Sequence, residues 1–137
     1  MDLATFGAIL SYAMEFEEKA AEFYGAAAKG TLKEAFNDLE RSSKKRASRM
    51  ERTRREGVAE MILESITGLN GDNYGVELTI ESLEPELLQQ AIALEETAQR
   101  FYTDSANKIP IQEVVRIFQR MADENGKRKE QLQSLAL

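Results

Sequence analysis

Apolar and polar residues follow each other along most of this chain with a period of three to four positions, the pattern of helices that bury one side. From about residue 3 to 28 the inward row is Phe6, Leu10, Ala13, Glu17, Ala20, Tyr24 and Ala27. Gly30 is a plausible stop, and Thr31 with Glu34 three positions on reads as a capping box opening a second helix. That helix carries Phe36, Leu39, Ser43, Arg46, Met50 and Thr53 inward, and the pattern continues to about residue 66 with an interruption or bend near Gly57. Gly and Asn content makes 68–78 a loop, with 76–80 (VELTI) as a candidate short extended stretch. A third helix is predicted from Ser82 to Pro85 onward, with Leu88, Ala91, Glu95, Ala98, Tyr102 and Ala106 inward. Pro110 opens a fourth, with Val114, Phe118, Met121, Asn125, Arg128, Leu132 and Leu135 inward.

The chain also repeats itself. Residues 13–24 (AMEFEEKAAEFY) and 91–102 (AIALEETAQRFY) agree at six of twelve positions, where about one is expected from average composition. A weaker echo aligns 36–46 with 118–128 through Phe36/Phe118, Leu39/Met121, Lys45/Lys127 and Arg46/Arg128. Short links make helices one and two, and three and four, antiparallel hairpins. The long link between the hairpins permits a crossover along the bundle, as in ferritin-like folds. The expected architecture is therefore all-α: a ferritin-like four-helix bundle of two hairpins joined by a long crossover, with residues 1–137 as a single domain.

Each inward row is broken by one charge: Glu17, Arg46, Glu95 and Arg128. A charge on a core row is expensive unless paired, and here two carboxylates balance two guanidiniums. One reading is a buried quartet of these four, trimmed by Ser43, Asn125, Tyr24 and Tyr102, for which the planar fork of arginine suits carboxylates better than lysine. The other is that the arginines snorkel to solvent and the glutamates lie at the bundle edge. Tyr24 and Tyr102 either cap the quartet and fill core or, in an active metalloprotein, serve as redox residues.

The duplicated Glu/Phe-Tyr motifs resemble the first and third helices of the rubrerythrin branch of the ferritin-like superfamily, over about 5–135. The stretch TRREGVAEMILESITGL is also similar to a segment of small bacterial members. The resemblance implies a di-iron centre in which Glu17 and Glu95 are ligands and a Glu-x-x-His motif follows on helices two and four. Counted from Phe36 and Phe118, those motif positions fall on Ser43 and Arg46, and on Asn125 and Arg128. Of the six ligands only Glu17 and Glu95 are retained, and two arginines stand where imidazoles are implied, adding positive charge against any cation. The expectation is a degenerate site: no metal, no cofactor, no catalytic residue, and the family's oxidase and peroxidase chemistry not carried over.

Composition narrows the rest. There is no cysteine and no histidine, so thiolate and imidazole chemistry are excluded, as is the CxxC-bearing rubredoxin-like domain of full rubrerythrins. The start lacks a basic signal-peptide region and no apolar run is long enough to span a bilayer, which predicts a cytoplasmic protein. Net charge −6 argues against general nucleic-acid binding, yet helix two packs eight lysines and arginines into 41–55. Three functions are kept: a metal-free structural, interaction or small-ligand-binding bundle with an unknown protein partner; an iron- or manganese-binding oxidoreductase or storage protein using Glu17 and Glu95; and a polyanion binder through helix two. Apolar residues beyond one core row (Ile9, Phe16, Ile62 and Ile66) point to a homodimer.

Overall fold

A computed structural model describes residues 2–61 and 65–135. Four helices carry the fold: α1 (Phe6–Ala27), α2 (Lys33–Met61), α3 (Glu84–Ala106) and α4 (Gln112–Gln133). Two 3₁₀ turns, Gly30–Leu32 and Gly71–Tyr74, sit in the connections. The first helix starts later than the apolar row suggests because Thr5 caps it, its Oγ1 accepting from the Ala8 N–H at 3.0 Å. The residues before the cap pair instead with the long connection: the Leu3 N–H donates to the Leu69 carbonyl at 2.8 Å and the Ile66 N–H to the Ala4 carbonyl at 2.9 Å.

Each hairpin packs closely along its length, α1 on α2 and α3 on α4. Side-chain size follows from that closeness. A Cβ on Gly25 of α1 would lie 2.4 Å from an Oε of Glu40, and one on Gly126 of α4 would lie 2.8 Å from Nε2 of Gln99.

The core falls into two apolar clusters, one toward each end of the bundle. The first holds Leu3 to Ala13 of the N-terminal region, Met50 of α2, Ala98 to Ala106 of α3 and Val114 to Ala122 of α4. The second holds Ala20 to Ala27 of α1, Phe36 and Leu39 of α2, Leu87 to Leu94 of α3 and Leu132 of α4. Both α2 and α3 therefore run from the second cluster to the first, parallel to each other. The chain must cross the whole bundle between them, and it leaves side chains at both ends: Ile66, Leu69 and Tyr74 in the first cluster, Val76, Leu78 and Ile80 against the second. This is the ferritin-like crossover.

Several sequence expectations change. The first helix ends at Ala27, capped by Ala28, short of Gly30, which instead opens the 3₁₀ turn at φ +54°, and Thr31 opens no capping box. It lies in the 3₁₀ turn, and its N–H and Oγ1 both bond the carboxylate of Glu84, at 3.1 and 3.0 Å, from the start of α3. Helix α2 runs unbroken through Gly57 to Met61, and residues 65–67 are not helical; 62–64 lie outside the described residues. Residues 76–80 form no strand; Gln90 of α3 holds the Thr79 backbone instead, accepting from its N–H at 2.6 Å and donating to its carbonyl at 3.2 Å. Pro110 precedes α4 rather than starting it.

The apolar residues set aside for a dimer face are largely used within the chain. Ile9 and Ile66 are buried, and Phe16 is half-buried, stacked on Phe101 at 6.4 Å and 9°. Ile62 lies outside the described residues. The reason is the crossover, which covers the outer side of α1: Tyr12 packs edge-on to Tyr74 at 6.4 Å and donates to the Gly71 carbonyl at 2.8 Å.

Candidate functional site: a buried guanidinium–carboxylate centre

Between the two apolar clusters lies a polar layer. Glu17 comes from α1, Ser43 and Arg46 from α2, Glu95 from α3 and Asn125 from α4, all buried; the Arg128 side chain is 12% exposed. Helical spacing explains the placement: Ser43 with Arg46, and Asn125 with Arg128, are three apart and share a helix face. Small residues on either side of each glutamate, Ala13 and Ala20 or Ala91 and Ala98, leave room for the arginines to reach in.

The contacts cross between the two repeats. Tyr24 of the first copy donates to Glu95 Oε2 of the second at 2.6 Å, and Tyr102 of the second donates to Glu17 Oε2 of the first in a very short bond. Each glutamate also faces the arginine of its own hairpin: Arg46 Nη1 lies 3.3 Å from Glu17 Oε2, and Arg128 Nη1 lies 3.7 Å from Glu95 Oε1. The first distance is a hydrogen bond; the second is an ion-pair contact only. Asn125 ties the pairs together, accepting from Arg46 Nη1 at 3.1 Å and donating to Glu95 Oε1 at 2.7 Å. The Arg46 guanidinium also lies over the Tyr102 ring at 5.5 Å.

Ser43, the counterpart of Asn125, is buried, but its Oγ makes no hydrogen bond among the described residues. Two residues absent from the sequence reading do take part. Arg46 Nη2 donates to Glu124 Oε1 at 2.9 Å as well as to the Met121 carbonyl at 3.1 Å, and Arg128 Nη2 donates to Ser42 Oγ. Ser42 and Glu124 align with each other in the repeat, four residues before each arginine. The signal was therefore present as an i, i+4 relation read across the two copies, although neither residue lies on an apolar row.

Electrostatics follows burial. Desolvation pulls the Arg46 pKa down, but Glu17 and the other acceptors outweigh it and raise it above the ordinary value, so Arg46 stays charged. Tyr24 and Tyr102 are pushed well above the usual phenol range, first by burial and then by the carboxylates they face, which fixes them as protonated donors. Burial raises Glu95 above the usual carboxylate range, opposed by Arg128 and by the Tyr24 bond. Both carboxylates thus have their partners inside the chain. Among the described residues no three His, Cys, Asp or Glu side chains converge as a metal site. Two glutamates, one against a buried arginine and each holding a tyrosine, do not fit the ligand set of a two-iron centre.

Four helices, a long crossover and a polar layer at mid-height define a ferritin-like four-helix bundle. Within that class, residues 86–135, from the first turn of α3 past the end of α4, match the sequence model of the Rubrerythrin family, which bears out the resemblance to the rubrerythrin-like branch. Comparison with curated proteins and with solved structures gives no match.

Proposed function

We propose that this chain is a metal-free relative of the rubrerythrins, a bundle whose centre is held by arginine where its relatives would hold iron, and that it serves as a structural or binding scaffold rather than a redox enzyme. The observation that carries this reading is Arg46, 3.3 Å from Glu17 and buried with it. It supplies at that point the positive charge a metal ion would otherwise bring. In this reading residues 1–137 form one domain in the cytoplasm, with a protein partner. No helix among the described residues is long and apolar enough to cross a membrane. Self-association remains part of the proposal on narrower ground, since Ile9 and Ile66 are spent in the core; Leu83 is the large exposed apolar side chain among the described residues.

The test is to rebuild the site. The quadruple variant Ser43→Glu, Arg46→His, Asn125→Glu, Arg128→His aims four carboxylates and two imidazoles at one layer. The expected outcome is that its apoprotein melts lower than the parent, because like charges crowd one site, and that iron(II) or manganese(II) restores the melting temperature through binding linkage. The parent should show no metal-dependent shift and no stoichiometric iron or manganese by elemental analysis. Near-stoichiometric metal in the parent would instead support the weak carboxylate site at Glu17 and Glu95.

A further inference from the structure

The seam between α2 and α4 is open where it approaches the first cluster. Arg46 and Arg128 bridge it at mid-height, and beyond Arg46 it widens into a groove of about 530 Å³ lined by Arg49, Arg52, Arg116 and Arg120, with Ile111 and Ile117 on its floor. A side pocket of about 200 Å³ shares Arg49, Ile117 and Arg120, adds Lys45, and reaches down to Arg46. Arg46 is 5% exposed, and its Nε has no hydrogen-bond partner among the described residues. The five outer cations make no ion pair among the described residues. Among the described residues the acids on the groove are Glu56 and Glu113, fewer than the cations, and Glu124 of the side pocket is already bound to Arg46.

The internal repeat provides a comparison within the chain. The offset that aligns Arg46 with Arg128 places Glu34 opposite Arg116, Asp38 opposite Arg120, Gln131 opposite Arg49 and Ser134 opposite Arg52. Of the five groove cations only Lys45 keeps a cationic counterpart, Lys127; the other four face acidic or neutral residues on the related end of the seam. Cation density is a property of one end, not a by-product of the helix pairing or of the repeat, in a chain whose net charge is −6.

We infer that this groove docks an acidic, amphipathic segment of a partner protein. Carboxylates suit it because Glu124 already seats one on Arg46 at its edge, at 2.9 Å. The apolar floor of Ile111 and Ile117 calls for apolar side chains beside the charges, which a phosphate backbone lacks. Among the described residues no aromatic side chain lines the groove to stack a base, so single-stranded nucleic acid has no platform on them. Along α2 the cations from Lys45 to Arg52 span about 10 Å, the footprint of a short segment rather than of a single ion.

The inference rests on reading the bundle as a binding scaffold. The metal assays test that reading separately, so a chain that takes up no iron and also ignores the peptide sinks the groove alone. The experiment titrates the full chain into a fluorescein-labelled peptide of about four helical turns, with Glu on one face and Leu on the other, and follows anisotropy. Saturable binding is expected that weakens with salt, falls about a hundredfold in Arg49→Glu/Arg120→Glu and falls less in Arg49→Gln/Arg120→Gln. Lys127→Glu, a charge reversal at the repeat counterpart of Lys45 and outside the groove, should leave it unchanged. Unchanged helical circular dichroism and melting confirm that the variants are folded. No saturable binding, binding undiminished by the Arg49/Arg120 reversal, or equal or tighter binding of a thymidine oligonucleotide or a phosphatidylserine vesicle in the same buffer would each overturn the assignment.

Discussion

Arg46 reaches Glu17, Asn125, Glu124 and the Met121 carbonyl at once, so its removal strands a buried carboxylate and several polar partners together. Arg46→Ala should cost on the order of 3–5 kcal/mol in a urea melt. Replacing Glu17, Arg46, Glu95 and Arg128 together by apolar residues of similar volume should cost much less, since no charge is then left buried alone. A negligible shift for the single change would mean that the network contributes nothing to stability. Glu95 gives a second outcome with a definite sign. Burial raises its pKa in the folded protein, so the folded state holds this proton more tightly than the unfolded state. Its contribution is full below the ordinary carboxylate value of about 4.3 and is lost as pH rises through the raised one. The stability of Glu95→Gln relative to the parent should therefore improve as pH is raised from acid toward neutral, as followed by denaturant melts. A constant difference across that range would show that Glu95 titrates normally.

At the level of helices and turns, the contact between Glu84 and Thr31 fastens the start of α3 to the turn between α1 and α2. Gly30 permits it twice over. Its φ of +54° disfavours any side chain, and a Cβ there would lie 1.7 Å from Glu84 Oε1. Gly30→Ala should cost on the order of 1–2 kcal/mol and Glu84→Ala about 1 kcal/mol or less. The pair should cost less than the sum because both act on one contact; strict additivity in a double-mutant cycle would argue that the two act separately. This turn also marks where sequence reading ends. The inward rows of α1, α3 and most of α2 and α4 were legible because burial on one side imposes a 3.6-residue period, and the crossover was legible in the length of the second connection. What a period cannot carry is which part of the chain covers an outer face. Ile9 and Ile66 read as surplus apolar residues because nothing in their spacing reveals the strap that lies over α1. The capping partner of Thr31 was missed for the same reason: it comes from fifty-three positions away, whereas a capping box is a local rule. The polar layer was visible as charges on apolar rows, while Ser42 and Glu124 sit off those rows and emerge only when the copies are compared.

For the molecule as a whole, the crossed tyrosines matter most. Neither hairpin satisfies its own centre: Glu17 depends on Tyr102 and Glu95 on Tyr24. A chain cut within 75–79 should therefore yield fragments that are poorly structured alone yet recover a single cooperative melt when mixed, as read by circular dichroism. Tyr102→Phe in the second fragment should weaken that complementation. Two fragments that each melt cooperatively on their own would show that the halves are autonomous. The same exchange has a historical reading. Contacts of the form i to j and j to i are those an isologous two-fold dimer makes, so two copies of one ancestral hairpin could have met through this tyrosine–glutamate swap before a fused gene joined them. Fusion then freed the copies to diverge, Ser43 from Asn125 and an arginine-lined end of the seam from an acidic one, which no symmetric pair of identical hairpins could do.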